Sequence, residues 1–234
     1  MAATNATNTA GTTADADPNT IIYRPITWKD VDAVVDLFER TWPQDGALAG
    51  TRSSLLISRY FVLHYLQPTT FANAAFAADG TLAGVTFVRV AGECPQLDEI
   101  DVAEEMAATE RLIRTNAEAA KRLDMVQNAF RLELELEREG KANETTLGEL
   151  ELFVVNPDVR GHGVGGGLWK RMQQYLAAWN VDAFYLHTDS DCDVRFYDHK
   201  GLECIAQRPA GTPVADGKEP LFDDMFVYRG QVRI

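Results

Sequence analysis

The stretch LFVVNPDVRGHGVGGGL, Leu152 to Leu168, decides how the chain is read. An apolar run stops at Pro157, a glycine-rich loop follows, and the pattern GLWKRMQQYLAAWN then continues as an amphipathic helix. Glycines let backbone N–H groups approach an anion, and a helix start adds partial positive charge, so strand, loop and helix together predict a phosphate-binding turn. Arg160 adds a formal charge. A Walker A loop would need Gly-Lys-Ser/Thr at the helix start, where this chain has Gly166, Gly167 and Leu168, with Lys170 as the first lysine. The dinucleotide pattern G-x-G-x-x-G is present at Gly161, Gly163 and Gly166, and Asp189 follows near the position of a ribose-binding acid. Against it, the loop is preceded by about 140 residues in another order and is followed by too little chain for a doubly wound sheet.

Upstream, IIYRPIT reads as a short strand, and Val31, Val34, Val35 and Phe38 recur at helical spacing, with Thr27 and Asp30 as a loose capping box. Pro43, Gly46 and Gly50 interrupt, TRSSLLISRYFVLHYL forms a second helix, and FANAAFAA and TLAGVTFVRV make a hairpin around Asp79-Gly80. From about Leu97 to Lys141 apolar residues recur every three to four positions among charges, which predicts a helical insert. Its last part, RLELELERE, alternates like a strand, but the helix preference of Leu and Glu favours helix. Downstream of the loop helix come a strand, a short helix ended by Gly201 and two further strands. The fold class is therefore mixed α+β in one domain over residues 20–234, with the insert, residues 97–141, between the third and fourth strands. Residues 1–19 lack any large apolar side chain other than Met1 and are expected to be a disordered tail.

Composition narrows the function classes. The 234 residues carry 46% hydrophobic content and a net charge of −13, a field that repels nucleic acid and anionic lipid and attracts cationic molecules. Neither a membrane span nor a secretory signal is readable, so a cytoplasmic location is expected. Cys94, Cys192 and Cys204 form no C-x-x-C pair, and neither a disulfide framework nor a metal is expected.

A second motif, Phe196-Tyr197-Asp198-His199-Lys200-Gly201-Leu202, lies one helix and one strand after the loop. With Val155, Pro157, Arg160, Gly163 and Gly165, it resembles the GNAT superfamily of N-acetyltransferases, whose loop reads V-x-P then Arg/Gln-x-x-Gly-x-Gly/Ala and whose later element reads F-Y-x-x-x-G-F. The resemblance covers most of the chain outside the tail and the insert. It implies a central mixed sheet of about seven strands flanked by helices, and acetyl-CoA as the acyl donor. The pyrophosphate is expected on the backbone of Arg160, Gly161, His162, Gly163, Val164 and Gly165, with Gly166 assisting. Pantetheine is expected along Phe153, Val154 and Val155. Many members carry Asn where this chain has Ser190, which leaves a shorter hydrogen-bonding group for the cofactor.

Acetyl transfer needs a neutral amine, and deprotonating one of pKa about 10.4 at pH 7 costs roughly 4 to 5 kcal/mol. Glu149 and Glu151 share a strand face by period two, and the resemblance puts the general base at Glu149 ahead of Glu151; the alternative is that both are solvated. Tyr197 is expected to protonate or orient the departing thiolate, the alternative being a core aromatic. His187 is a second candidate base or a partly buried structural histidine, His162 an exposed loop residue, and Cys192 a small buried residue rather than a nucleophile. The insert either covers the acceptor pocket or packs on its own domain or on a second subunit of a homodimer. The expected reaction is direct acetyl transfer to a primary amine of a small molecule or peptide. A non-catalytic acyl-CoA-binding module and an NAD(P)-binding protein are the alternatives.

Overall fold

The computed structural model describes residues 20–97, 100–159, 162–212 and 223–233. The expected tail, Arg160 and Gly161 lie outside them. Strands β1 (Ile22–Pro25), β2 (Phe71–Phe76), β3 (Leu82–Val90), β4 (Gly148–Val155), β5 (Ala183–Asp189), β6 (Glu203–Arg208) and β7 (Met225–Gln231) form one sheet in the order β1-β2-β3-β4-β5-β7-β6. Every neighbouring pair is antiparallel except β4 with β5.

Helices α1 (Val31–Thr41) and α2 (Arg52–Leu66) lie between β1 and β2 and cover one face of the sheet. There Val34, Phe38, Val62 and Leu63 pack on Ala72, Val85, Phe87 and Leu152. Helix α6 (Val164–Ala178) covers the other face, with Met172 and Leu176 against Val88, Leu150 and Phe184. Gly84 of β3 permits this approach, because a Cβ there would sit 3.1 Å from Leu168 and 2.9 Å from the Val154 carbonyl oxygen. The expected capping contact is present: the Asp30 carboxylate accepts from the Thr27 N–H at 2.8 Å, and Arg24 pairs with it at 2.8 Å.

The insert contains α3 (Val102–Ile113) and α4 (Ala117–Glu139), followed by one turn, α5 (Ala142–Thr145). Asn116 starts α4 by accepting from the Glu118 and Ala119 N–H groups. The ambiguous RLELELERE segment is helical. Leu132 and Leu136, four apart, are buried against Tyr185, Met225 and Val227, while Leu134 is 48% exposed. Strand geometry would have put all three leucines on one face, whereas the helix turns Leu132 and Leu136 toward the sheet and Leu134 away from it. The N-terminal half of α4 packs Leu123 and Val126 on Ile57 and Tyr60 of α2. The insert thus packs on its own domain. Among the described residues no helix is long and apolar enough to cross a membrane.

Candidate active site

β4 and β5 start side by side and then part. Only Gly148 with Phe184 and Glu149 with Tyr185 are paired, whereas β4 stays paired to β3 along its length. Glu151 is the extra residue of a bulge, since Phe87 faces Leu152 and Val88 faces Leu150. The parting opens a cleft of about 670 Å³ that runs along Leu150 to Val155 and past His187, Thr188 and Asp189. Gly165 borders it at the start of α6, and helix α7 (Val194–His199) contributes Phe196 and Tyr197.

One end of the cleft is formed by the start of α6. Gly163 takes a left-handed φ of +72° at the N-cap of α6, which turns the chain into the helix. The first intrahelical contact runs from the Gly167 N–H to the Gly163 carbonyl, so the preceding N–H groups of the first turn point outward. The Val164 side chain instead packs into the core with Ala75, Ala83 and Leu168, and His162 is exposed. Phe153 packs its ring between Trp169 and Phe196, with centroids 5.9 and 5.7 Å away. Ser190 is occupied elsewhere: its hydroxyl lies 3.2 Å from Asp223 Oδ1 and accepts from the Asp224 N–H at 3.1 Å.

Behind the cleft wall sits a charged network. Glu149 and Glu151 converge on Arg89 of β3, the Glu149 carboxylate touching its Nη2 and the Glu151 Oε1 lying 2.8 Å from its Nε. The two carboxylate side chains are only 6% and 9% exposed, so neither is a solvated strand glutamate. His187 Nδ1 stands 3.2 Å from Glu149 Oε1 and its Nε2 3.4 Å from Glu137 Oε1. The Tyr185 hydroxyl is 2.8 Å from Glu149 Oε2 and 2.7 Å from Asn143 Oδ1, and it accepts from Arg89.

Burial opposes ionisation of Glu149, yet the hydrogen bond and charge of His187 together with the Arg89 guanidinium bring its carboxyl down to about 2. Burial likewise opposes a charge on His187, but Glu149, Glu133 and Glu137 raise it to about 9. Glu151 is pushed the other way, upward, by burial and by the charge on Glu149. Donor atoms of Glu137, Glu149 and His187 fall within 4.8 Å of one another, a spacing that suits a cation. The Arg89 guanidinium stands against Glu149 beside the same cluster.

Of the two strand glutamates expected to act as base, Glu151 lines the cleft, while Glu149 lies behind the wall with its oxygens committed to Arg89, Tyr185 and His187. A carboxyl at about 2 is a weak proton acceptor. Tyr197 lines the cleft, its ring 5.5 Å from Phe196 and 5.9 Å from Tyr228. Burial, with Cys192, Asp189 and Asp193 nearby, raises its phenol, so it holds its proton at neutral pH. Burial pushes the Cys192 thiol up to about 12, which leaves no thiolate for nucleophilic chemistry.

The insert also forms a wall, which the sequence left open. Arg122, Phe130 and Glu133 of α4 face Phe38 and Trp42 of the α1 end and Phe61 and Tyr65 of α2. Phe61 meets Phe130 edge-on at 5.4 Å, and His64 stacks on Phe130 at 3.6 Å. Burial and the nearby His187 lower His64 to about 4, so this imidazole is a neutral part of the aromatic wall. Glu133 was not singled out by sequence. The signal was available, since helical RLELELERE places Glu133 and Glu137 four apart beside the buried Leu132 and Leu136 stripe.

A mixed sheet that splits between two parallel strands, with a glycine-started helix at one end of the split and a tyrosine in it, defines a GNAT-type acetyltransferase fold. Residues 129–202 match the family model described as acetyltransferase (GNAT) family. The mosquito arylalkylamine N-acetyltransferase-like 5b structure is similar, with a TM-score of 0.58 and 19% identity over 91% of this chain and all 100% of that one. Arylalkylamine N-acetyltransferase 2 from Aedes aegypti has a TM-score of 0.55 at 13% identity, covering 91% of this chain and 99% of its own. The Drosophila melanogaster polyamine N-acetyltransferase also has a TM-score of 0.55, at 12% identity, covering 91% and 100%. No curated protein matches the sequence. Residues 129–202 thus resemble the GNAT acetyltransferases, and the chain shares the fold of the solved GNAT structures.

Proposed function

We propose that the protein moves an acetyl group from acetyl-CoA to a primary amine by direct transfer in a ternary complex. The observation that carries this reading is the continuity of the cleft, from the open N-terminus of α6, along the unpaired edge of β4, to Tyr197 and the aromatic wall. The pyrophosphate fits the α6 start around Gly163 to Gly166, and an extended pantetheine fits beside Phe153 to Val155, where β4 has no strand partner on its β5 side. Its thioester would then lie toward Tyr197. The remaining half of the cleft takes the amine. Phe38, Trp42, Phe61 and Phe130 suit an apolar or aromatic body, in keeping with the arylalkylamine acetyltransferases that share the fold. The net charge of −13 favours a cationic acceptor over an acidic one.

Calorimetric titration tests the donor, with NADH as the control ligand. Acetyl-CoA is expected to bind at about micromolar Kd, near −8 kcal/mol, and NADH not to bind. Thiol release with a panel of amines then separates an enzyme from a binding module, which would bind the donor and release nothing. Gly163→Asp should weaken acetyl-CoA binding more than tenfold, over about 1.4 kcal/mol, by setting a carboxylate against the pyrophosphate. A side chain at this left-handed position is strained, so the variant's unfolding midpoint is measured beside its affinity to separate a lost site from a lost fold. Unchanged affinity in that variant would reject the loop as the anion site.

A further inference from the structure

We propose that Glu133, contributed by the inserted helix α4, is the carboxylate that receives the acceptor's ammonium group and takes its proton. The inference rests on the transferase reading above.

The cleft wall holds several acids, and their partners set them apart. Glu151 is tied to Arg89 at 2.8 Å, and Asp189 accepts the Asp191 N–H at 3.1 Å. Asp191, Asp193 and Asp223 are exposed to solvent at the rim. Glu133 lines the cleft beside Phe130 and makes no hydrogen bond or ion pair with any described residue. A half-buried carboxylate without a partner is costly unless a ligand supplies one. An ammonium group does so, and an aromatic body attached to it would lie on Phe61 and Phe130. The groups that face Glu133 are His187 and Asp189 of β5, Glu149 of β4, Tyr65 of α2 and Glu137 on its own helix. Burial raises its carboxyl to about 7 against the opposing pull of His187, with Glu149, Asp189 and Glu137 adding to the rise. A base poised there accepts a proton and releases it to solvent near neutrality.

The chemistry balances. The Glu133 carboxylate takes one proton from the ammonium, and the freed nitrogen lone pair forms the C–N bond at the thioester carbonyl carbon. The C–S bond breaks, sulfur leaves with the bonding pair, and Tyr197 gives it a proton. The second proton lost by nitrogen restores the Tyr197 phenol through solvent, and Glu133 returns the first to bulk water. One amide, one free thiol and one proton result.

The test compares wild type with Glu133→Gln and Glu133→Asp in amine-dependent thiol release across pH. Wild-type kcat/KM is expected to fall as pH drops through about 7. Glu133→Gln should lose about 100-fold in kcat and lose the inflection near 7, its rate climbing instead with the free-amine fraction as pH rises, while binding acetyl-CoA as wild type does. Glu133→Asp should keep the inflection. The defect of the Gln variant should shrink on a fluorinated amine that is already neutral at the assay pH, a response a merely structural role would not give. An active wild type whose Gln variant keeps the inflection near 7, or is equally impaired on both amines, overturns the role of Glu133 alone. A wild type that binds acetyl-CoA but turns over no amine overturns the transferase reading, and the base with it.

Discussion

Arg89→Met is expected to destabilise the protein by about 3 kcal/mol, read as a drop in the urea midpoint at constant slope. The arginine serves two carboxylates from adjacent positions of one strand face, and both are nearly inaccessible to water. Removing it leaves their charge without compensation, which costs about 3 to 5 kcal/mol for a buried pair. The low end applies here, because the guanidinium is 27% exposed and His187 still faces Glu149. Adding Glu149→Gln and Glu151→Gln should recover most of the loss, since the penalty lies in the stranded charges rather than in the missing arginine. Full loss persisting in the triple variant would mean that packing of the Arg89 stem, not charge, sets the cost. The same network ties stability to pH. His187 is raised from 6.5 to about 9 in the folded state, so its contribution is complete below pH 6.5 and is lost as pH rises through 9. Glu133, raised from 4.5 to about 7, acts in the same direction over a lower window. The urea midpoint should therefore fall between pH 6.5 and 9, and His187→Gln should flatten that fall.

Tyr197→Phe is expected to lower kcat about 100-fold, near 2.7 kcal/mol of transition-state stabilisation, while acetyl-CoA affinity stays within twofold. The ring keeps its contacts with Phe196 and Tyr228 when the hydroxyl is removed. That hydroxyl has no hydrogen-bond partner among the described residues, so the unfolding midpoint should not move. Because burial raises the phenol, its proton is held at every pH where amine transfer would be assayed, and the variant should leave the acid limb of the rate profile in place. Full turnover in the Phe variant would remove Tyr197 from the proton chemistry and leave it as an aromatic wall residue.

The architecture was legible because its signals are local. Apolar runs at period two, helical spacing in the flanking segments and the Gly163 turn gave the order of elements, and the two motifs gave the family likeness. RLELELERE was the hard case, since Leu132, Leu134 and Leu136 fit both periods and only the sheet beneath α4 decides between them. The site was less legible. Glu149 and Glu151 do share a face, but which of them is reachable depends on Arg89, sixty positions away from Glu149 and brought opposite it by strand register. Tyr185 and His187 arrive from a third strand, and Glu137 from the insert. No spacing within one segment encodes such a convergence. The helical reading of RLELELERE places Glu133 beside the buried leucine stripe, but its lack of partners is visible only in three dimensions.

The pairing of β4 with β5 through two residue pairs has a mechanical consequence. The sheet behaves as two leaves, β1 to β4 and β5 with β7 and β6, joined by a short seam. Helix α4 is fastened to both, to α2 on the first leaf and to β6 and β7 on the second. It acts as a strut that fixes the angle at which the leaves stand apart. The length and pitch of the insert therefore set the width of the slot as well as supplying one of its walls, and a shortened strut would narrow the slot and displace that wall together.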